Sequence, residues 1–265
     1  MQSSLFENIP MSDVRQPALQ QCSVSSSTFY HGDCIFEMSK FADKSIDMIL
    51  CDLPYGTTQC AWDAIIPFDE LWMQYERIIK DNGAIVLFGA EPFSSYLRLS
   101  NIKLFKYDWI WDKIKGTGFL NAKKQPMRNH EVISVFYKQQ CTYNPQKTYG
   151  HNKKKSFRAK HLQTDVYGDM NNDYTYESTE RYPRSIQEFS TDTQNSSLHP
   201  TQKPIALLAY LIKTYTDAGE TVLDNCMGSG STGVACMLTG RKFIGIEKEQ
   251  EYFDIAVSRV SRYCC

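Results

Sequence analysis

The sequence predicts an α/β fold in which helices cover both faces of a mostly parallel sheet, and three observations carry that expectation. Apolar runs of strand length alternate with segments of helical period, the runs end in Gly, Pro, Asp or Asn, and one run passes through a glycine-rich turn directly into a helix. Right-handed crossovers and a ligand site at the carboxyl ends of the strands go with that class.

Residues 1–27 read as a flexible lead-in that ends in a Ser-rich stretch. A short strand ending at Gly32-Asp33 leads to a helix near Cys34–Lys40, and Ile46–Cys51 reads as a buried strand. That strand stops at Asp52-Leu53-Pro54-Tyr55-Gly56, because Pro54 has no N–H to give to a central ladder. A helix over Phe68–Lys80 gathers Leu71, Trp72, Tyr75, Ile78 and Ile79, Asp81-Asn82-Gly83 reads as a turn, and Ala84–Phe88 as the next strand. The rhythm continues with a helix Pro92–Leu99 and strands Phe105–Trp111 and Val132–Tyr137. Residues 161–198 are polar, show neither period, and are expected to be mobile. A helix opened by Pro204 and running to Thr214, a strand Thr221–Asn225, a helix Thr232–Leu238, a strand Lys242–Ile246 and a helix Glu251–Arg262 complete the pattern. The expected division is one half-domain over 28–111, an inserted basic and polar region over 112–198, and the second half of the same domain over 199–263.

A hydrophobic content of 42% in 265 residues excludes collagen-like and disordered chains. The longest apolar runs are too short to span a bilayer and no basic-then-apolar leader opens the chain, so a cytoplasmic protein with no membrane partner is expected. Nine cysteines without a C-x-x-C pair read as reduced thiols, with no metal site. The net charge of -1 conceals an asymmetry: Lys113–Lys160 holds twelve Lys or Arg and the single acid Glu131. A basic module on an acidic body, with Phe119, Tyr137, Tyr143, Tyr149 and Phe157 interleaved, suits a polyanion such as nucleic acid better than a merely solvated loop.

Two constellations carry chemistry. Gly228-x-Gly230-x-x-Gly233 lies between strand and helix, and Glu247 follows the next strand, where an acid can accept from ribose hydroxyls. By spacing alone this loop suits a nicotinamide dinucleotide as well as an amino-acid-like cofactor whose ammonium would meet Asp224. The second is Asp52-Leu53-Pro54-Tyr55. Asp52 and the Pro54 carbonyl can accept the two N–H bonds of a flat amine while Tyr55 stacks on its ring, which suits methylation of a base amine. Cytosine C5 chemistry is disfavoured, because it needs a cysteine nucleophile, usually after proline, and no Pro-Cys dipeptide occurs.

Taken together the motifs resemble those of the DNA amino-methyltransferases that use S-adenosylmethionine, in the permuted beta-type order. Asp52-Leu53-Pro54-Tyr55 resembles the D-P-P-Y motif, Leu223–Thr232 the D-P-F-x-G-S-G-T-T loop, His199-Pro200-Thr201-Gln202-Lys203-Pro204 the H-P-T-Q-K-P element, Gly245-Ile246-Glu247 the G-I-E, and Gly32-Asp33-Cys34 the G-D element. The resemblance implies a seven-stranded Rossmann-like methyltransferase sheet with one antiparallel strand, and N6-adenine methylation of flipped-out bases in double-stranded DNA. Its roles fall on Asp52, Pro54 and Tyr55 for catalysis. For S-adenosylmethionine they fall on Asp33, Cys34, Thr201, Lys203, Asp224, Cys226, Gly228, Gly230, Ser231, Thr232 and Glu247, with Thr201 and Lys203 on the methionine carboxylate. Leu53 and Cys226 depart from the family's Pro and Phe. Lys123, Lys124, Arg128, Lys153, Lys154, Lys155 and Arg158 are the expected phosphate contacts, and Asn121, Gln125, Arg128, Asn144 and Gln146 the candidate base readers. A homodimer and a cognate restriction endonuclease are partners compatible with the resemblance. N4-cytosine or RNA methylation, a silent nucleic-acid-binding subunit and a dehydrogenase are the competing readings.

Overall fold

The computed structural model describes residues 26–56, 64–158, 162–164, 168–170, 174–191 and 202–263. In chain order these give β1 (Ser27–His31), α1 (Cys34–Ser39), β2 (Ile46–Cys51), α2 (Phe68–Ile78), β3 (Ile79–Gly89), α3 (Phe93–Ser100), β4 (Phe105–Thr117), β5 (Arg128–Phe136), β6 (Lys154–Arg158), β7 (Leu162–Thr164), β8 (Gly168–Met170), β9 (Tyr174–Ser178), β10 (Ile186–Glu188), α4 (Ile205–Tyr215), β11 (Thr221–Asp224), α5 (Ser231–Thr239), β12 (Lys242–Glu247) and α6 (Gln250–Ser261). None of the helices is long and apolar enough to cross a membrane.

The main sheet runs β1-β12-β11-β2-β3-β5-β4-β10. Only β5 is antiparallel to its neighbours, β3 and β4. Seven strands were expected; the eighth is β10, which joins the edge parallel to β4 by pairing Ile186 with Ile110. Its three residues are too few and too polar to show a period. β6–β9 and β7–β8 are separate antiparallel pairs, so strands occur within 161–198 although the sequence shows no strand period there.

Alternation along the central strands builds two cores. Met48, Leu50, Ala84, Val86, Phe88, Ile133 and Val135 face α4 and α5 through Leu207, Leu208, Leu211, Ile212 and Ala235. Ile49, Cys51, Ile85, Leu87 and Phe136 face α1, α2 and α3 through Met38, Leu71, Tyr75, Ile78 and Leu97. Each fully buried aliphatic side chain contributes roughly 1.5–3 kcal/mol against leaving it in water, which is why both helix layers are held on the sheet.

Two further corrections concern boundaries. Asp81-Asn82-Gly83 is part of β3 and not a turn: the β2–β3 register jumps between Ile46 and Met48, and the surplus residues bulge out of the ladder. A Cβ on Gly83 would stand 2.8 Å from the Asp47 carbonyl, so the bulge requires glycine there. The inserted span 112–198 contributes to the main sheet itself, since its residues 128–136 form β5 there. Most of the 1–27 lead-in and, at the other motif, His199, Pro200 and Thr201 lie outside the described residues.

Candidate active site

The carboxyl ends of β2, β11 and β12 open on one cavity of about 640 Å³. This is where a parallel sheet places its ligands, and the volume falls in the usual range for small-molecule sites. Both sequence constellations meet there, with Asp33, Cys34, Asp52, Tyr55, Gly228 and Glu247 among the lining residues.

On one side stands the glycine loop. Gly228 and Gly230 adopt positive φ of 49° and 78°, which non-glycine residues rarely adopt. Gly233, inside α5, admits α6 and β12, since a Cβ there would lie 2.7 Å from Val260 and 2.8 Å from Phe243. The loop is tied down from three directions. Gly228 N donates to Glu247 Oε2 at 2.9 Å, Tyr75 Oη donates to Asn225 Oδ1 at 2.5 Å, and Arg259 Nη1 reaches the Ser229 carbonyl at 3.2 Å and Ser231 Oγ at 3.1 Å. No side chain caps the start of α5. Its leading N–H groups therefore suit a carboxylate or phosphate. Asp224, buried beneath the loop, accepts from Thr232 Oγ1 at 2.6 Å and from Cys226 N at 3.2 Å. Burial pushes its carboxyl up to about 6. At the far end Asp33 Oδ1 caps α1 through Ile35 N and Phe36 N, while Cys34 and Cys226 line the wall as free thiols.

On the other side, Pro54 ends the ladder of β2 and Asp52 looks into the cavity. Tyr55 Oη donates to Asp52 Oδ1 at 2.6 Å, and the Tyr55 ring stacks on Phe93 at 4.9 Å. Lys203, buried ahead of α4, donates to Asp52 Oδ2 at 2.7 Å and lies 3.1 Å from Glu131 Oε2, whose other oxygen is held by Lys113. Four ionic groups thus alternate in sign. Burial raises the Asp52 carboxyl above its ordinary value; Lys203 opposes that rise and Glu131 adds to it. Burial disfavours the Lys203 ammonium, but Asp52 and Glu131 outweigh it and hold its pKa above the usual lysine value. Burial likewise pushes against Glu131, and Lys203 with Lys113 overcome it, holding that carboxyl below its usual range. The ammonium assigned by resemblance to a ligand carboxylate is therefore engaged by two protein carboxylates.

Sequence reasoning missed Glu131 and Lys113. The available signal was that Glu131 is the single acid among twelve cations, at a position where β5 turns inward.

The expected DNA contacts separate into two groups. Lys123 and Lys124, on the turn between β4 and β5, and Arg128, the first residue of β5, are exposed, and Lys113 and Thr117 of β4 line the cavity. Lys154 and Arg158 lie in β6, and Lys153 and Lys155 both pair with Glu177 of the facing β9, which neutralises part of that charge. Of the candidate base readers, Asn144 and Gln146 have amide hydrogens engaged within the protein. Asn144 donates to Asp217 Oδ1 at 2.9 Å, and Gln146 donates to the Asn144 carbonyl.

A family model described as DNA methylase matches residues 46–258. The chain is 28% identical over 256 residues to the type II methyltransferase M2.MboI of Moraxella bovis, covering 87% of this chain and 86% of that one. It is 29% identical over 279 residues to the type II methyltransferase M.HinfI of Haemophilus influenzae, covering 88% and 68%. Among solved structures, M1.HpyAVI in complex with SAM superposes with a TM-score of 0.62 at 25% identity, over 88% of this chain and 99% of that one. The cytosine-N4-specific PvuII DNA methyltransferase reaches the same TM-score at 16% identity, over 91% and 92%, a likeness of fold.

Proposed function

Because this chain belongs to the N6/N4 DNA methylase family, we propose that it methylates the exocyclic N6 of adenine at a short site in duplex DNA, with the base turned out of the stack. The observation that carries this reading is Asp52, held at the end of β2 by Tyr55 and Lys203 and opening on the same cavity as the glycine loop.

S-adenosylmethionine is the cofactor, and its sulfonium supplies an electrophilic methyl group. The residues present fit it. Glu247 and Asp33 offer carboxylates to hydroxyl and amine hydrogens, the uncapped start of α5 and the Gly228–Thr232 backbone suit its carboxylate end, and Asp224 lies beneath the loop. Cys226 gives the adenine a smaller wall than an aromatic ring would.

The chain's own groups prepare the nucleophile. The adenine amine is a poor one because its lone pair is delocalised into the ring. Asp52 and the Pro54 carbonyl accept its two hydrogens, which favours the tetrahedral, localised nitrogen, and the face of Tyr55 supports the ring. As the new N–C bond forms, the amine must lose one proton, and the Asp52 carboxylate is the acceptor within reach. Lys203 and Tyr55 fix the orientation of Asp52 and leave each of its oxygens a second lone pair. The exposed Lys123, Lys124 and Arg128 hold phosphates beside the cavity, with Lys153, Lys154, Lys155 and Arg158 as the second set. The reaction belongs in the cytoplasm, and a cognate restriction endonuclease and a second copy of the chain are the partners this reading adds.

Incubation with labelled S-adenosylmethionine and unmethylated bacterial DNA, followed by digestion to nucleosides and mass analysis, tests the proposal. N6-methyladenine supports it, N4-methylcytosine moves the target base, and label recovered only on RNA rejects the DNA substrate.

A further inference from the structure

The β4–β5 hairpin carries at its tip two large apolar side chains that the fold does not use. Leu120 is 96% exposed and Phe119 78%, and Ile114 and Met127 of the same hairpin are exposed as well. Two adjacent large apolar side chains exposed to this degree mark a surface that is covered by something else.

The tip is nevertheless well built. Gly118 takes a positive φ of 89° and turns the chain into a single 3-10 turn over Phe119–Asn121. Backbone N–H groups of Asn121, Ala122, Lys124 and Gln125 all find carbonyls within the tip, at 2.8–3.0 Å. Thr117 Oγ1 closes the neck of the hairpin on the Arg128 carbonyl at 3.0 Å. The two side chains are therefore presented on a stiff support.

Their surroundings select the partner. Lys115, Lys123, Lys124 and Arg128 flank them, and no acid occurs from residue 114 to residue 130, so a second copy of the same tip is repelled and a polyanion attracted. Thr117, two residues before Phe119, already lines the cavity that contains Asp52.

We propose that Phe119 and Leu120 form an apolar wedge that enters the DNA stack at the position vacated by the target base, while the flanking cations hold the phosphates on either side. The proposal rests on the reading of the chain as a base-flipping DNA methyltransferase. Turning a base out of a duplex costs unstacking and leaves a hole between flat apolar surfaces. Apolar wedges from other DNA-bending proteins meet the same demand.

The test compares the full-length protein with Phe119→Ala/Leu120→Ala and with Leu120→Gln. The substrates are two duplexes carrying the mapped target site, one fully paired and one with an abasic position opposite the target base. The wedge predicts a methylation rate on the paired duplex lower by about tenfold to a hundredfold for the double variant, most of it recovered on the abasic duplex, where the base is already free to leave. S-adenosylmethionine affinity and melting temperature should stay at wild-type values. Unchanged rates on the paired duplex, or an equal loss on both duplexes, would overturn the wedge. So would a drop in melting temperature or in molecular mass by light scattering for Leu120→Gln, because the pair would then be covering the fold or a second copy. A wild-type protein that methylates neither duplex nor genomic DNA overturns the functional reading, and the wedge with it.

Discussion

Lys203 donates to Asp52 at 2.7 Å and rests 3.1 Å from Glu131, so one buried cation is shared by two carboxylates that come from opposite sides of the main sheet's centre. Removing it leaves Asp52 and Glu131 facing each other without compensation. Lys203→Met should lower the methylation rate at neutral pH by at least about a hundredfold and cost roughly 3–5 kcal/mol of stability, the usual penalty for breaking a buried pair from one side. Initial rates and urea unfolding check both numbers.

Asp52→Ala removes the acceptor and leaves the glycine loop intact. The rate should fall by about 10²–10³, the scale of losing one aligned charge-stabilising group. Titration calorimetry with S-adenosylmethionine should give an affinity close to that of the wild type. Full retained activity would remove Asp52 from the chemistry.

The pH dependence follows from the same residue. Burial raises the Asp52 carboxyl above its ordinary 3.8, and it can take the amine's proton only when ionised. The rate should therefore rise with pH through an acid limb placed higher than that of an ordinary aspartate. Because the negative charge of Glu131 contributes to the rise, Glu131→Gln should move that limb toward lower pH. A pH–rate profile of both proteins reads the shift directly.

Asp224 makes a prediction about stability. Its carboxyl rises from 3.8 to about 6 in the folded protein through burial, so the fold prefers the protonated form. That contribution is complete below the unfolded value of 3.8 and is lost as pH rises through 6. Between pH 5 and pH 8 the wild type should lose about 1.4 kcal/mol relative to Asp224→Asn, which does not titrate there. Urea unfolding at the two pH values, without cofactor, measures the difference.

The repeating core was legible because its strands are short apolar runs stopped by residues that cannot extend them, as Pro54 stops β2. Helix faces were legible for a similar reason, since Leu71, Trp72, Tyr75 and Ile78 recur at helical spacing and are all buried. The aspartate and glycine motifs fell at strand ends, where elementary topology predicts a site. The ion cluster was not legible, because Lys113, Glu131 and Lys203 meet only after β4, β5 and the approach to α4 have been laid side by side. The bulge at Asp81–Gly83 misled for a different reason: turn-forming residues also suit a strand that must shed surplus length. β10 escaped notice because an edge strand of three residues, two of them polar, gains its place from the ladder of β4 and not from its own pattern.

That edge strand has a bearing on how the fold tolerates change in chain length. The chain leaves the main sheet at Phe136, the end of β5, and rejoins it at Ile186, the start of β10, with only β4 between the two strands. Residues 137–144 still pack on the body, with Cys141 buried in the core and Asn144 N donating to the Thr214 carbonyl at 2.7 Å, and beyond them the chain makes an excursion with both ends anchored in the same fold. The cost of closing such an excursion grows only slowly with its length, so it can be lengthened, shortened or exchanged while Asp52, Lys203 and the glycine loop stay where they are. A fold organised this way keeps the part of the chain that can vary apart from the part that carries the site, as the bit of a drill is kept apart from its motor.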